Sequence, residues 1–102
     1  MIISKRLRFE WDKEKEKTNV KKHGVSFINA AQVFYDENAL VIYDEDHSYN
    51  EERYVILGMC PNGETYTVVY CLKEQETVIR IISARKAVKN EVITYFMKMG
   101  ER

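Results

Sequence analysis

Arg53-Tyr54-Val55-Ile56-Leu57-Gly58-Met59-Cys60, interrupted by Pro61-Asn62-Gly63 and resumed by Tyr66-Thr67-Val68-Val69-Tyr70-Cys71-Leu72, is the stretch on which the fold turns. Both runs are rich in β-branched and aromatic residues, and Asn-Gly between them favours the positive φ angles of a tight hairpin. A third run, Val78 to Ala84, follows the short polar connection Lys73-Glu74-Gln75-Glu76. Three consecutive strands joined by short turns predict an antiparallel meander. Leu40 to Tyr43 has the same character and adds one more strand ahead of it.

Toward the N-terminus, Leu7-Arg8-Phe9-Glu10-Trp11 alternates apolar and charged residues and predicts a short strand. Asp12 then opens a helix, because its carboxylate accepts from first-turn N–H groups, and Gly24 supplies a permissive stop. Val20 is the only aliphatic residue between them. This helix is therefore expected to lean on Val20 and on lysine stems, leaving one face wet. Ser26 caps a second helix in which Phe27, Ala30, Ala31 and Phe34 form a buried stripe, ended by Tyr35-Asp36-Glu37-Asn38. Ile28-Asn29 leaves that helix without a capping-box Glu at its third position, so its onset is expected to be weak. From Lys86 onward the spacing of Val88, Val92, Tyr95/Phe96 and Met99 is helical again. The order β-α-α-β-β-β-β-α predicts one α+β domain over residues 1–102, a curved antiparallel sheet with two N-terminal helices and a C-terminal helix.

At 102 residues the chain has the size of one domain with one core. Its hydrophobic content of 45% and charged content of 31% lie in the globular range. The formal charge is zero, but unevenly spread: residues 1–23 hold eight Lys/Arg against four Asp/Glu, residues 80–102 six against two, and residues 36–52 seven acids with no Lys or Arg. A neutral sum thus conceals basic ends and an acidic middle, and a polyanion responds to the local field. Cys60 and Cys71 fall in β-patterned segments without Cys-x-x-Cys spacing and are read as buried, reduced thiols, with a disulfide between neighbouring strands as the alternative. The N-terminal Met-Ile-Ile-Ser-Lys-Arg has no apolar run long enough for a signal peptide or membrane span, so a cytoplasmic protein without membrane contact is expected.

Few residues suggest chemistry. Alternation in the last strand places Arg80 with Val78 and Ile82 on one face, opposite Ile79 and Ile81. A mid-strand arginine calls for an anion, either an internal carboxylate or an external phosphate. Arg85 stands at the strand's end beside Lys86. Lys22 and His23 precede Gly24, where cations interact well with a helix dipole, but imidazole and lysine are also proton-transfer groups. RNA cleavage by its own 2′-OH needs a base for that hydroxyl, cationic donors for the pentacovalent transition state and an acid for the leaving 5′ oxygen. Lys, His and Arg meet all three needs. The acidic stretch Asp44-Glu45-Asp46-His47 fails the calcium-loop pattern, with Tyr49 and Val55 where Gly and Glu are required, and no zinc spacing exists. It reads as a solvated acidic loop, with a weak ion site or a contact for a basic partner as the alternatives. No metal and no cofactor are predicted.

Phe9-Glu10-Trp11-Asp12, Lys15, Asn19 and Lys22-His23-Gly24-Val25-Ser26-Phe27 resemble the N-terminal pattern of the BrnT family of toxin ribonucleases. Ala30-Ala31, Val33-Phe34, Glu52-Arg53-Tyr54, Gly58, Val68-Val69-Tyr70 and Arg80-Ile81-Ile82-Ser83-Ala84-Arg85-Lys86-Ala87 continue the resemblance in order, over about residues 9–87. It implies a RelE-like fold and a ribonuclease toxin of a type II toxin–antitoxin system that blocks translation. It also implies neutralisation by a BrnA-type ribbon-helix-helix antitoxin in a hetero-oligomer, with operator DNA contacted only through that antitoxin. By matching motif, Arg80 and Arg85 are expected to bind phosphate and stabilise the transition state, and Lys22 or His23 to transfer protons. Arg53, Tyr70 and Lys86 rank second, as substrate contacts. The alternative is a non-catalytic module that binds a basic or DNA-binding partner.

Overall fold

The computed structural model describes residues 7–101. Its frame is an open five-stranded sheet of β1 (Arg8–Glu10), β2 (Leu40–Tyr43), β3 (Arg53–Met59), β4 (Thr65–Lys73) and β5 (Val78–Lys86), in the order β1-β5-β4-β3-β2. The meander β3-β4-β5 is antiparallel as expected, β2 pairs antiparallel with β3, and β1 adds in parallel to β5. Three helices complete the mixed α and β architecture: α1 (Lys13–His23), α2 (Phe27–Ala31) and α3 (Lys89–Gly100). Two short 3-10 turns, Gln32–Tyr35 and Glu45–His47, interrupt the order expected from the sequence. β5 also runs to Lys86 before α3 begins at Lys89, because the N–H of Ala87 bonds to the Thr65 carbonyl and holds the chain against the sheet.

α2 and the 3-10 turn that follows it cover one face. Phe27, Ala30, Ala31 and Val33 pack on Ile56, Tyr66, Val68, Tyr70, Ile79, Ile81 and Ala84, all buried. Trp11 meets Phe27 edge-on at 6.0 Å, and Phe34 bridges Phe9 and Tyr70 at 5.4 and 4.8 Å, which fastens β1 to this core. Tightening of the helix after Ala31 into a 3-10 turn brings Val33 against β3, where a Cβ on Gly58 would lie 3.0 Å from the Val33 Cβ and 3.2 Å from its carbonyl. A side chain at this position would push β3 and the turn apart, which glycine avoids.

α1 is held differently from expectation. Asp12 caps it through bonds from the N–H groups of Glu14 and Lys15, and Gly24 ends it with φ 71°. Val20, expected as its apolar anchor, is 43% exposed. The buried residue is Asn19, whose amide donates to the carbonyls of Val25 and Ala84 and accepts from the Ala84 N–H at 2.8–3.0 Å. A polar helix with one aliphatic residue is thus fixed by hydrogen bonds to an uncovered strand edge. The expected weakness at the start of α2 is also repaired from α1: Ser26 Oγ accepts from the Asn29 N–H, and the Glu16 carboxylate accepts from the Phe27 N–H at 2.8 Å.

Asn19→Ala leaves the Ala84 N–H and C=O without partners inside the protein. The expected loss is about 2 kcal/mol of folding stability, read from urea unfolding midpoints. An unchanged midpoint would show that α1 is anchored elsewhere.

Candidate functional site

β1 stops at Glu10, so it pairs with β5 only as far as Arg80, and Asn19 takes the place of a strand at Ala84. Between these two supports the edge of β5 is open at Ile82-Ser83. Lys15, Thr18 and Lys22 recur at helical spacing on the face of α1 turned toward that edge. Together with Glu14, Asn19, His23, Ile82 and Ser83 they line a shallow groove of about 350 Å³. Lys22 is exposed and His23 half-buried, both in the last turn of α1. The structure therefore brings Lys22 and His23 together beside the strand that carries the two arginines.

Arg80 and Arg85 do not line this groove. Five residues apart on a regular strand, they would point to opposite faces. The β4–β5 register steps from Val69 opposite Ser83 to Tyr70 opposite Ile81, leaving Ile82 as the extra residue of a β-bulge. Arg80 lies opposite Cys71 and Arg85 opposite Thr67, four residues apart on β4, so both arginines share the sheet face remote from α2. The expected pairing of Ile82 with the Arg80 face is replaced by this bulge. Register continues the Arg80 row across four strands as Glu10, Arg80, Cys71 and Arg53.

Each arginine holds a carboxylate of the chain itself. Arg80 donates from Nη1 to Glu10 at 2.5 Å, and this bond raises its pKa. Arg85 makes a two-pronged pair with Glu91 of α3 at 2.7 and 3.0 Å, which likewise raises its pKa. Glu91 also accepts from the Val88 N–H and the Thr67 hydroxyl. The Arg85 bonds, reinforced by those from Val88 and Thr67, lower its pKa to about 2 despite partial burial. Of the two choices open to Arg80 from sequence, the internal pair is present, with about a third of its side chain still exposed.

The second-rank residues separate. Arg53 lies in the Arg80 row, 3.8 Å from Glu51, with its Nε buried and without a hydrogen-bond partner. Lys86 is exposed at the end of β5, 3.8 Å from Glu64. Tyr70, expected as a substrate contact, is instead a core residue: its ring stacks on Tyr54 at 5.5 Å and meets Phe34, and burial pushes its hydroxyl pKa up. Its place on β4 is two residues from Val68, on the inward side of the sheet.

Cys60 and Cys71 are free and buried. Burial pushes the Cys60 thiol up to about 11, and Cys71 is raised as well. Burial therefore disfavours the reactive thiolate at both positions. Among the described residues no three His, Cys, Asp or Glu side chains gather where they could hold a metal ion, and no helix is long and apolar enough to cross a membrane.

Sequence reasoning passed over Lys15, Asn19, Glu10 and Glu91 as parts of this site. The signal for Asn19 was present: a helix with a single aliphatic residue needs another anchor, and Asn19 shares a face with Lys15 and Lys22. Glu91 carried the signal of a first-turn carboxylate, six residues after Arg85.

The family model described as "Ribonuclease toxin, BrnT, of type II toxin-antitoxin system" matches residues 11–91. The chain belongs to the BrnT family. It is accordingly a ribonuclease toxin of a type II toxin–antitoxin system, and an antitoxin partner is implied. Among solved structures, the Brucella abortus ribonuclease toxin BrnT matches with a TM-score of 0.64 at 21% identity, covering 82% of this chain and 100% of that one. This likeness shows a shared BrnT fold. Comparison with curated proteins gives no match.

Glu91 predicts a pH dependence. Its folded pKa of about 2 is below the ordinary 4.5, so its contribution to stability is present above pH 4.5 and disappears as pH falls toward 2. Glu91→Gln should therefore lower stability by about 1–2 kcal/mol at pH 7, with the gap to wild type closing between pH 4.5 and 2 in urea unfolding. A gap independent of pH would deny the ion pair its role.

Proposed function

We propose that this BrnT-family toxin is a RelE-like, metal-independent endoribonuclease that cuts RNA in the cytoplasm and thereby inhibits translation. The observation that carries the reading is the groove in which Lys22 and His23 face the bulged, open edge of β5, the strand that also presents Arg80 and Arg85. RNA lying along that edge has proton-transfer groups on the α1 side and guanidinium groups on the other.

In this reading Lys22 or His23 removes the proton of a 2′-OH, whose oxygen attacks the adjacent phosphorus. The bond from phosphorus to the 5′ oxygen breaks as that oxygen takes up a proton, leaving a 2′,3′-cyclic phosphate and a 5′-OH. Arg80 and Arg85 bind phosphate oxygens and stabilise the charge of the pentacovalent transition state, and Arg53 and Lys86 extend the contact along the backbone. Glu10 and Glu91 hold the two guanidinium groups in place before RNA arrives. A BrnA-type ribbon-helix-helix antitoxin neutralises the toxin in a hetero-oligomer, and operator DNA is contacted through that antitoxin.

Purified toxin should cleave RNA in EDTA to products ending in a 2′,3′-cyclic phosphate. Arg80→Ala should lower kcat/KM by about 100-fold or more, and the double change Lys22→Ala, His23→Ala should flatten the pH–rate profile. Cleavage retained by a folded Arg80→Ala variant would remove Arg80 from the mechanism. A wild-type chain that binds its antitoxin and leaves RNA intact would instead be a non-catalytic interaction module.

A further inference from the structure

The sheet face that carries Arg80 is only partly covered. α3 rests on it through Glu91, over Thr67 and Arg85, and beyond that helix an apolar trough of about 270 Å³ opens over Leu40, Ile42, Val55 and Leu57, rimmed by Asn90 and Thr94. Ile42 is 65% exposed, and its row continues by register through Val55 and Val69 to Ser83. The next row along the strands is Arg53, Cys71, Arg80 and Glu10. The trough is bordered by β2, whose outer edge has no strand partner among the described residues. Val41 and Tyr43, on the reverse face of β2, are exposed as well.

An apolar face beside an open strand edge is a surface awaiting a partner. Its charge selects which. β2 is bracketed by Asp36-Glu37, of which Asp36 is already bonded to the Met59 N–H and the Tyr95 hydroxyl, and by Asp44-Glu45-Asp46, whose Glu45 and Asp46 are exposed; residues 36–52 contain no Lys or Arg. Two copies of the chain joined through β2 would set these acidic ends against each other, and RNA would be repelled by them. A segment with an apolar side for the trough and Lys or Arg for the acidic ends matches both features.

We propose that the trough of Leu40, Ile42, Val55 and Leu57 is the docking site for a basic, amphipathic segment of the cognate antitoxin. The proposal rests on the type II toxin assignment and adds to it the surface and the chemistry of the partner. A segment seated there lies one row from Arg53 and Arg80, so neutralisation follows from covering the arginine face against RNA.

The test uses the full chain and the antitoxin encoded with it, with affinity measured by calorimetry. Ile42→Asp should weaken binding by about tenfold or more, and Glu45→Lys with Asp46→Lys should weaken it and reduce its dependence on salt. Both changes lie at exposed positions, and thermal unfolding matching wild type shows that the fold is kept. Ile28→Asp, at an equally exposed position on α2, serves as the control and should leave affinity unchanged. Unchanged affinity in both trough variants, or a loss confined to Ile28→Asp, overturns the proposal. Binding is read without RNA turnover. A wild-type chain that binds antitoxin but cuts no RNA therefore overturns the catalytic reading and leaves the docking result standing.

Discussion

The contact between the Asn19 amide and the backbone of Ala84 is the constraint on which the rest depends. α1 is too polar to be placed by burial, since Val20 lies largely in solvent. A side-chain amide can imitate a peptide group, donating and accepting at once, and here it does so at a strand edge that β1 is too short to cover. That one pairing fixes the rotation of α1 about its axis. Lys15 and Lys22 are consequently turned toward the bulge of β5, and His23 follows at the rim. The third bond, to the Val25 carbonyl, ties the turn after Gly24 to the same point and so sets where α2 begins.

Carboxylates do comparable work at longer range. Glu16 adds a carboxylate acceptor beside the Ser26 cap at the start of α2, and Glu91 joins β4, β5 and α3 through one group. Asp36 accepts from the Met59 N–H and the Tyr95 hydroxyl, tying the turn before β2 to β3 and α3. Glu10 holds Arg80. A chain of zero net charge has thus committed several acids to internal anchoring, while Glu45 and Asp46 remain at the surface. The basic and acidic regions are therefore more distinct in space than the sum of charges suggests.

The parts of the fold that depend on short-range patterning were legible. Period-two runs of β-branched and aromatic residues marked β2 to β5, Asn62-Gly63 marked the hairpin, and the stripe of Phe27, Ala30 and Ala31 marked the inward face of α2. Asp12, Gly24 and Ser26 cap and stop as their chemistry requires. The turn from β4 to β5 was placed correctly, but not its backbone: Glu74, Gln75 and Glu76 all adopt positive φ without glycine or asparagine, closed by bonds from Thr77 to Lys73 and Glu74. The site was legible as residue types and less so as geometry. Lys22 and His23 share a groove, whereas Arg80 and Arg85 stand together on another face because of a bulge that no local pattern announces. Tyr70 faces the core, which its sequence context does not announce, because a tyrosine on a half-buried strand carries no mark of which way it faces.

By itself, then, the sequence determined the elements, their caps, most of the core and the cationic residues available for chemistry, because these follow from side-chain type and spacing along a few turns or one strand. Tertiary structure alone decided that Asn19 rather than Val20 anchors α1, that Ile82 is extruded to align two arginines, and that Glu10 and Glu91 are their partners. Those outcomes depend on which backbone groups are left unpaired when distant segments meet, 65 residues apart for Asn19 and Ala84 and 70 for Glu10 and Arg80. An unsatisfied buried donor or acceptor is costly enough to select its partner, and only the assembled sheet defines which donors and acceptors are left.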